Sequence, residues 1–318
     1  MSFLPVTLAE CRARGWDAPD FVYVTGDAYV DHPSFGLAII SRVLEKAGYR
    51  VAMLPQPDWH SCEDFQRFGR PRLGFLVTAG VIDSMVNHYT VAKKPRDRDV
   101  YSPGGRAGMR PDRATIVYAN RIRQAYGNVP ILLGGVEASL RRFAHYDYWD
   151  DRVRNSCLVD AGADGLLFGM GERSILRAAK WLEEGRPIAD LRVPGTCVMV
   201  SEPPEGALVL PAMEEVAADR AAYARALTAL AARKRAFLPG TAQMACEKGL
   251  LRRRVQAVME PPSPRRSFFA GALLLLLVFA CLLFCQPPER DTALLTEQNF
   301  FSYLAASGDD RPEAFDLG

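Results

Sequence analysis

Six short apolar runs punctuate the first two hundred positions, at residues 21–24, 51–54, 73–77, 129–133, 165–168 and 196–200. They are continuous rather than alternating, which is the pattern of strands buried on both faces. Between most of them the apolar positions change to a period of three to four. Leu37, Ile40, Val43, Leu44 and Ala47 share one face of a helix that begins at Gly36 and is stopped by Gly48. Residues 114–125 carry Ile116, Val117, Ile122 and Ala125 and close at Gly127, and residues 175–182 form a third amphipathic stretch. Shorter helices are predicted over 9–14, 63–68, 82–88 and 137–144. The alternation predicts an α/β domain over residues 1–200: an open, mostly parallel, Rossmann-like sheet flanked by helices on both faces. The order of its strands is not readable from the pattern.

Beyond residue 200 the pattern changes. Residues 201–266 read as a helical and basic linker, with one Ala-rich helix over 212–236, the run Arg252-Arg-Arg254, and Pro261-Pro-Ser-Pro-Arg-Arg266. Residues 267–285 contain no charge over 19 positions, about 28 Å as a helix, just enough for a transmembrane helix. Arginines precede that run, so it would leave the N-terminus in the cytoplasm. The expected location is therefore cytoplasmic, or membrane-anchored through 267–285. Residues 286–318 are polar, with the composition of a disordered tail.

Charge and cysteine narrow the classes. A formal net charge of +2 over 318 residues argues against a dominant nucleic-acid surface, and no nucleic-acid partner is expected. The seven cysteines are scattered and odd in number, without a C-x-x-C pair, which is the usage of reduced thiols. The first residues have neither a basic flank nor a long apolar run, so no signal peptide is expected.

In open α/β sheets, ligands bind beyond the carboxyl ends of the strands. That rule selects Asp27 and His32 after the first strand, Gly134, Gly135 and Glu137 after the fourth, and Gly169 and Glu172 after the fifth. They are pocket candidates for a small molecule of unknown identity, by position alone, and no catalytic or metal-binding role attaches to any of them. For His32 an ordinary loop histidine beside Pro33 remains the competing reading. The glycines permit tight turns and close backbone approach. No G-x-G-x-x-G, P-loop or G-x-S-x-G is present, so neither hydride transfer nor ATP hydrolysis is indicated. Residues 93–113 form a long basic segment, read either as an anion contact or as a solvated loop whose charges Asp97, Asp99 and Asp112 partly offset. The cluster His145-Tyr-Asp-Tyr-Trp149 could line a pocket or an interface, the interface reading being the stronger.

Several long runs together are specific. Residues 21–36, Gln56-Pro-Asp-Trp59, Arg70-Pro-Arg-Leu73, Thr78-Ala-Gly80, Arg110-Pro-Asp-Arg-Ala114, Leu133-Gly-Gly-Val-Glu-Ala-Ser-Leu-Arg-Arg142, His145-Tyr-Asp-Tyr-Trp149 and Gly169-Met-Gly-Glu172 occur in order. With them, residues 3–235 resemble the N-terminal region of YgiQ-type radical S-adenosylmethionine proteins. The resemblance implies a cobalamin-binding-type α/β domain placed before a radical-SAM barrel, and, for the complete family, a 4Fe-4S cluster and S-adenosylmethionine. The signature D-x-H-x-x-G is not met, because Asp31 and His32 are adjacent, and cobalamin is not expected. The family's cluster rests on C-x3-C-x2-C, since such a centre needs thiolates. Here Cys281 and Cys285 give the first spacing only, inside the apolar run. No cofactor is therefore expected in this chain. The expectation is an N-terminal domain severed from its barrel by truncation or a frame shift after about codon 240 and inactive alone. The alternative is a membrane-anchored binding module without catalysis. A stand-alone small-molecule-binding domain that serves a separate radical-SAM barrel protein as its partner is a third reading.

Overall fold

The computed structural model describes residues 2–232 and Met259. After the helix α1 (Leu8–Ala13), the strand β1 (Phe21–Thr25) leads through α2 (Gly36–Lys46) to β2 (Val51–Pro55). Then come β3 (Gly74–Thr78), α3 (Ser84–His88), α4 (Ala114–Tyr126), β4 (Ile131–Leu133) and α5 (Gly135–Leu140). A small hairpin of β5 (His145–Asp147) and β6 (Arg152–Arg154) precedes α6 (Cys157–Asp160), β7 (Gly165–Leu167), α7 (Glu172–Glu183) and β8 (Thr196–Val198). Two helices, α8 (Met213–Ala218) and α9 (Arg220–Ala232), follow.

The main sheet runs β2-β1-β3-β4-β7-β8, parallel throughout except for β8, which pairs antiparallel with β7. The parallel strands are therefore in the order 2-1-3-4-5 of a doubly wound sheet, with its switch point between β1 and β3. The mostly parallel α/β expectation is met. All five residues of β1 are buried because each face has its own helical layer. Phe21 and Tyr23 join Leu37, Leu44, Leu76, Leu132, Ile175 and Ala178 beneath α2 and α7. Val22 and Val24 face the opposite way, toward Tyr118, Ala119 and Ile122 of α4 and Leu158 of α6.

The helices follow their apolar stripes. Leu37, Ala38, Ser41 and Leu44 are the buried face of α2, and Ser174, Ile175, Ala178 and Ala179 that of α7. Positive-φ glycines end both, Gly48 at +95° and Gly185 at +68°. Four elements differ from expectation. The helix expected over 63–68 is a single 3-10 turn, Asp64–Gln66. The aromatic run at 145–149 opens a hairpin rather than a plain turn, because Asp147 ties Arg113 (2.7 Å) and Arg154 (2.8 Å) across it. Within the described residues, which end here at Ala232, the single helix expected over 212–236 is two helices broken at Asp219, whose backbone is extended at φ −132° and ψ 114°. Asp219 then caps α9 by accepting from the amides of Ala221 and Ala222. The predicted helix over 137–144 stops at Leu140.

No helix among the described residues is long and apolar enough to cross a membrane. The run 267–285 lies outside the described residues, as do Cys281 and Cys285.

Candidate functional site

A cavity of about 290 Å³ opens at the carboxyl edge of the sheet, between its β1-β3-β4-β7 face and helices α2 and α7. Its floor is apolar: Tyr23, Leu76, Leu132 and Leu167, with Leu37, Ile40 and Ile175 from the helices. Its rim is backbone-rich, formed by Gly36 at the start of α2, Gly134, Gly135 and Val136 at the start of α5, and Gly169, Met170, Gly171 and Glu172 before α7. No side chain caps the N-terminus of α2, α5 or α7, whereas Thr7, Asp83 and Ser156 cap α1, α3 and α6. Uncapped first-turn amides therefore gather at this rim. Gly135 has φ +83°, and a Cβ there would collide with Thr78 Oγ1. Only glycine lets the β4–α5 turn lie this close to β3.

Tyr23 is 6 % exposed, and its hydroxyl has no hydrogen-bond partner among the described residues. Burial pushes its pKa far above the usual phenol range.

The sequence candidates divide. Gly134, Gly135, Gly169 and Glu172 line the cavity together. Asp27, His32 and Glu137 do not. Asp27 is wholly buried, paired through Oδ1 with Arg110 Nη2 at 2.7 Å, and its Oδ2 accepts from the Val81 amide at 2.6 Å. Burial outweighs the guanidinium and raises its pKa. Arg110 also bonds Asp99 at 2.9 Å and the Ala79 carbonyl at 2.7 Å. The basic segment is thereby latched under the sheet edge, and Arg110 is one of its anchors rather than a solvated charge. Glu137 accepts from the Ser84 amide (2.8 Å) and hydroxyl (2.5 Å) and from the Thr115 amide (3.0 Å), joining the starts of α3 and α4. His32 is exposed, and its Nδ1 accepts from the Ser34 amide at 3.2 Å. Asp31 beside it is taken by Arg42, whose Nε lies 3.2 and 3.1 Å from the two carboxylate oxygens.

Sequence reasoning missed Tyr23, Ser34 and the floor leucines as lining residues. The signal was present: Tyr23 is a polar-tipped residue in the central strand, on the face that the α2 stripe covers.

A second cleft, of about 520 Å³, lies between α3 and the 140–149 segment. It is lined by Tyr89, His145, Tyr148 and Trp149 among others. Lys93 Nζ stands 4.8 Å over the Tyr148 ring and donates to the Trp149 carbonyl at 3.0 Å. Its carboxylates are consumed internally, Asp83 by Arg141 and Asp147 by Arg113 and Arg154. Burial lowers the pKa of His145.

The described residues do not fit an iron–sulfur cluster. Cys11, Cys62, Cys157 and Cys197 are unpaired and dispersed, and burial pushes the Cys157 thiol up to about 12, away from the thiolate such a centre requires. No group of three metal-ligating side chains occurs among the described residues.

With the doubly wound domain and its edge cavity in place, comparison with known proteins fixes the class. The model of the family described as Radical SAM N-terminal matches residues 3–266, and the chain belongs to that family. A UPF0313 protein of Geobacter sulfurreducens is 58 % identical over 236 residues, covering 72 % of this chain and 39 % of the relative. One from Clostridium perfringens is 57 % identical over 226 residues (70 % and 34 %), and one from Clostridium botulinum is 52 % identical over 229 residues (71 % and 36 %). The chain thus spans well under half the length of these relatives. Among solved structures, the radical S-adenosylmethionine methyltransferase TsrM of Kitasatospora setae, with tryptophan and an S-adenosylmethionine analogue bound, gives a TM-score of 0.39 at 19 % identity. That match covers 57 % of this chain and 29 % of TsrM. A second TsrM structure, with cobalamin and a 4Fe-4S cluster bound, gives 0.38 at 19 % identity, covering 57 % of this chain and 28 % of TsrM.

Proposed function

We propose that this domain is the ligand-holding accessory module of a radical S-adenosylmethionine protein. The cluster and S-adenosylmethionine chemistry then resides in the part of the relatives outside the matched region, and this chain alone does not carry it. The observation that supports this reading is the edge cavity. It is the one opening of the two described above whose rim combines glycine turns with uncapped helix starts, in a domain where Asp27 and Glu137 serve structural bonds. A cluster would need three thiolates in one place, and the four described cysteines are dispersed.

Two measurements test it. After anaerobic reconstitution with iron and sulfide, the chain is expected to hold well below one cluster and to leave S-adenosylmethionine intact. About four irons per chain, the content of one cubane centre, would overturn the reading. The neutral probe 1-naphthol is expected to bind, and Ile40→Trp, which fills the cavity from α2, to abolish that binding. In addition, another reading frame of the gene beyond about codon 240 is expected to encode the missing cysteine triad. The uncharged run 267–285 supports a second reading, a membrane-tethered binding module without catalysis. Membrane fractionation of the full chain separates the two.

A further inference from the structure

Within that reading, on which this inference rests, the geometry points to a specific ligand class. We propose that the edge cavity takes a phosphorylated planar heteroaromatic molecule of about mononucleotide size, with its phosphate at the start of α2 and its ring over Tyr23.

The start of α2 supplies the phosphate site. This helix has eleven residues, no side-chain cap and no acidic residue in its first turn. Its Ala38 and Ile39 amides are taken by the Phe35 carbonyl at 3.0 and 3.2 Å. The Gly36 and Leu37 amides find no acceptor among the described residues, and both residues line the cavity. Ser34 lines the same wall and brings a hydroxyl. Two free amides, a hydroxyl and the positive end of the helix dipole are the donor set that binds phosphate.

Tyr23 is the independent observation. It is more than nine-tenths buried, lines the cavity floor, and its hydroxyl is unpartnered among the described residues. The hydroxyl is accessible from the cavity and meets no protein acceptor there, so it is free to bond what occupies the cavity. A ring heteroatom of a bound ligand completes this one, while Leu76, Leu132 and Leu167 provide the apolar bed for the ring. The placement coincides with the β1/β3 switch point, where doubly wound sheets of this strand order hold their ligands. Glu172 fixes the orientation. Its carboxylate already occupies the first turn of α7 on the opposite rim, so that rim repels an anion and the α2 rim receives it.

The test is a fluorescence titration of the full chain with flavin mononucleotide and riboflavin as probes, which differ only in the phosphate. Flavin mononucleotide is expected to bind at least about tenfold more tightly, and Glu172→Gln to widen the gap. Gly36→Pro is expected to erase it. Proline suits the first helical position, and Phe35 before it, at φ −104° and ψ 118°, already has the extended backbone that proline requires. A Cβ at position 36 meets nothing within 4 Å, so the fold is kept, which circular dichroism checks. Tyr23→Phe is expected to weaken both flavins alike. Equal affinity of the two flavins for the unmodified chain overturns the phosphate assignment, while retained 1-naphthol binding leaves the accessory-module reading standing. Failure of both flavins and of 1-naphthol overturns both.

Discussion

Arg110 and Asp27 form an ion pair at 2.7 Å in which both side chains are wholly buried. The pair joins the end of β1 to the basic segment that follows α3, and Asp99 shares the same guanidinium. Gly80 belongs to this arrangement, because a Cβ there would collide with the Asp27 carboxylate. Arg110→Met would strand two buried carboxylates. Removing one partner of a buried pair costs about 3–5 kcal/mol, and urea unfolding is expected to show a loss of that size. A loss below about 1 kcal/mol, the range of exposed pairs, would mean that the latch is not formed.

Acid sensitivity follows from Asp20. Burial pushes its pKa up, but hydrogen bonds from Arg50 (2.9 Å) and Arg72 (2.7 Å), together with the Arg50 amide (2.8 Å), outweigh burial and hold it below the ordinary value. The folded protein thus binds this proton more weakly than the unfolded chain, whose aspartates titrate near about 3.9. The contribution to stability is fully present above that value and is lost as pH falls through the folded pKa. Asp27, raised by burial, acts with the opposite sign. Urea midpoints measured between about pH 2 and 6 are expected to fall steeply on the acid side, and Asp20→Asn to flatten that fall. An unchanged slope in Asp20→Asn would contradict the assignment.

Glu137 holds two helix starts at once. Glu137→Ala leaves the Ser84 and Thr115 amides without their carboxylate, and unsatisfied buried donors cost about 1–3 kcal/mol each. The expected loss is of that order. Glu137→Gln, which keeps one acceptor oxygen, is expected to lose less. Equal losses in the two variants would show that the carbonyl acceptor carries none of the effect.

Two adjacent glycines are expected to behave differently. Gly135→Ala forces a side chain into a positive-φ position against Thr78, and such strain costs about 1–2 kcal/mol. At Gly134 the backbone is extended, with φ −156°, and a Cβ meets nothing nearer than 3.9 Å. Gly134→Ala is therefore expected to leave the melting temperature nearly unchanged. Comparable melting losses in both variants would place the strain outside the Gly135 turn.

The sheet was legible because its strands are buried on both faces and so read as unbroken apolar runs, and because glycines mark the ends of α2 and α4. The strand order was not, since the register of β1 against both β2 and β3 is set by long-range packing. The carboxyl-edge rule placed Gly134, Gly135, Gly169 and Glu172 at the cavity. It also selected Asp27 and Glu137, whose partners Arg110, Ser84 and Thr115 lie far along the chain. A buried carboxylate and a cavity-lining one have the same sequence signature at a strand end. Only the partner residues distinguish them.

The most direct measurement of the central claim is a ¹H–¹⁵N correlation spectrum of the chain titrated with 1-naphthol. The account predicts shifts confined to amides around the edge cavity, including Gly36, Gly134, Gly135, Gly169 and Ile175. Shifts centred instead on Tyr89, Leu140, Tyr148 and Trp149 of the second cleft, or no shifts at all, would contradict it.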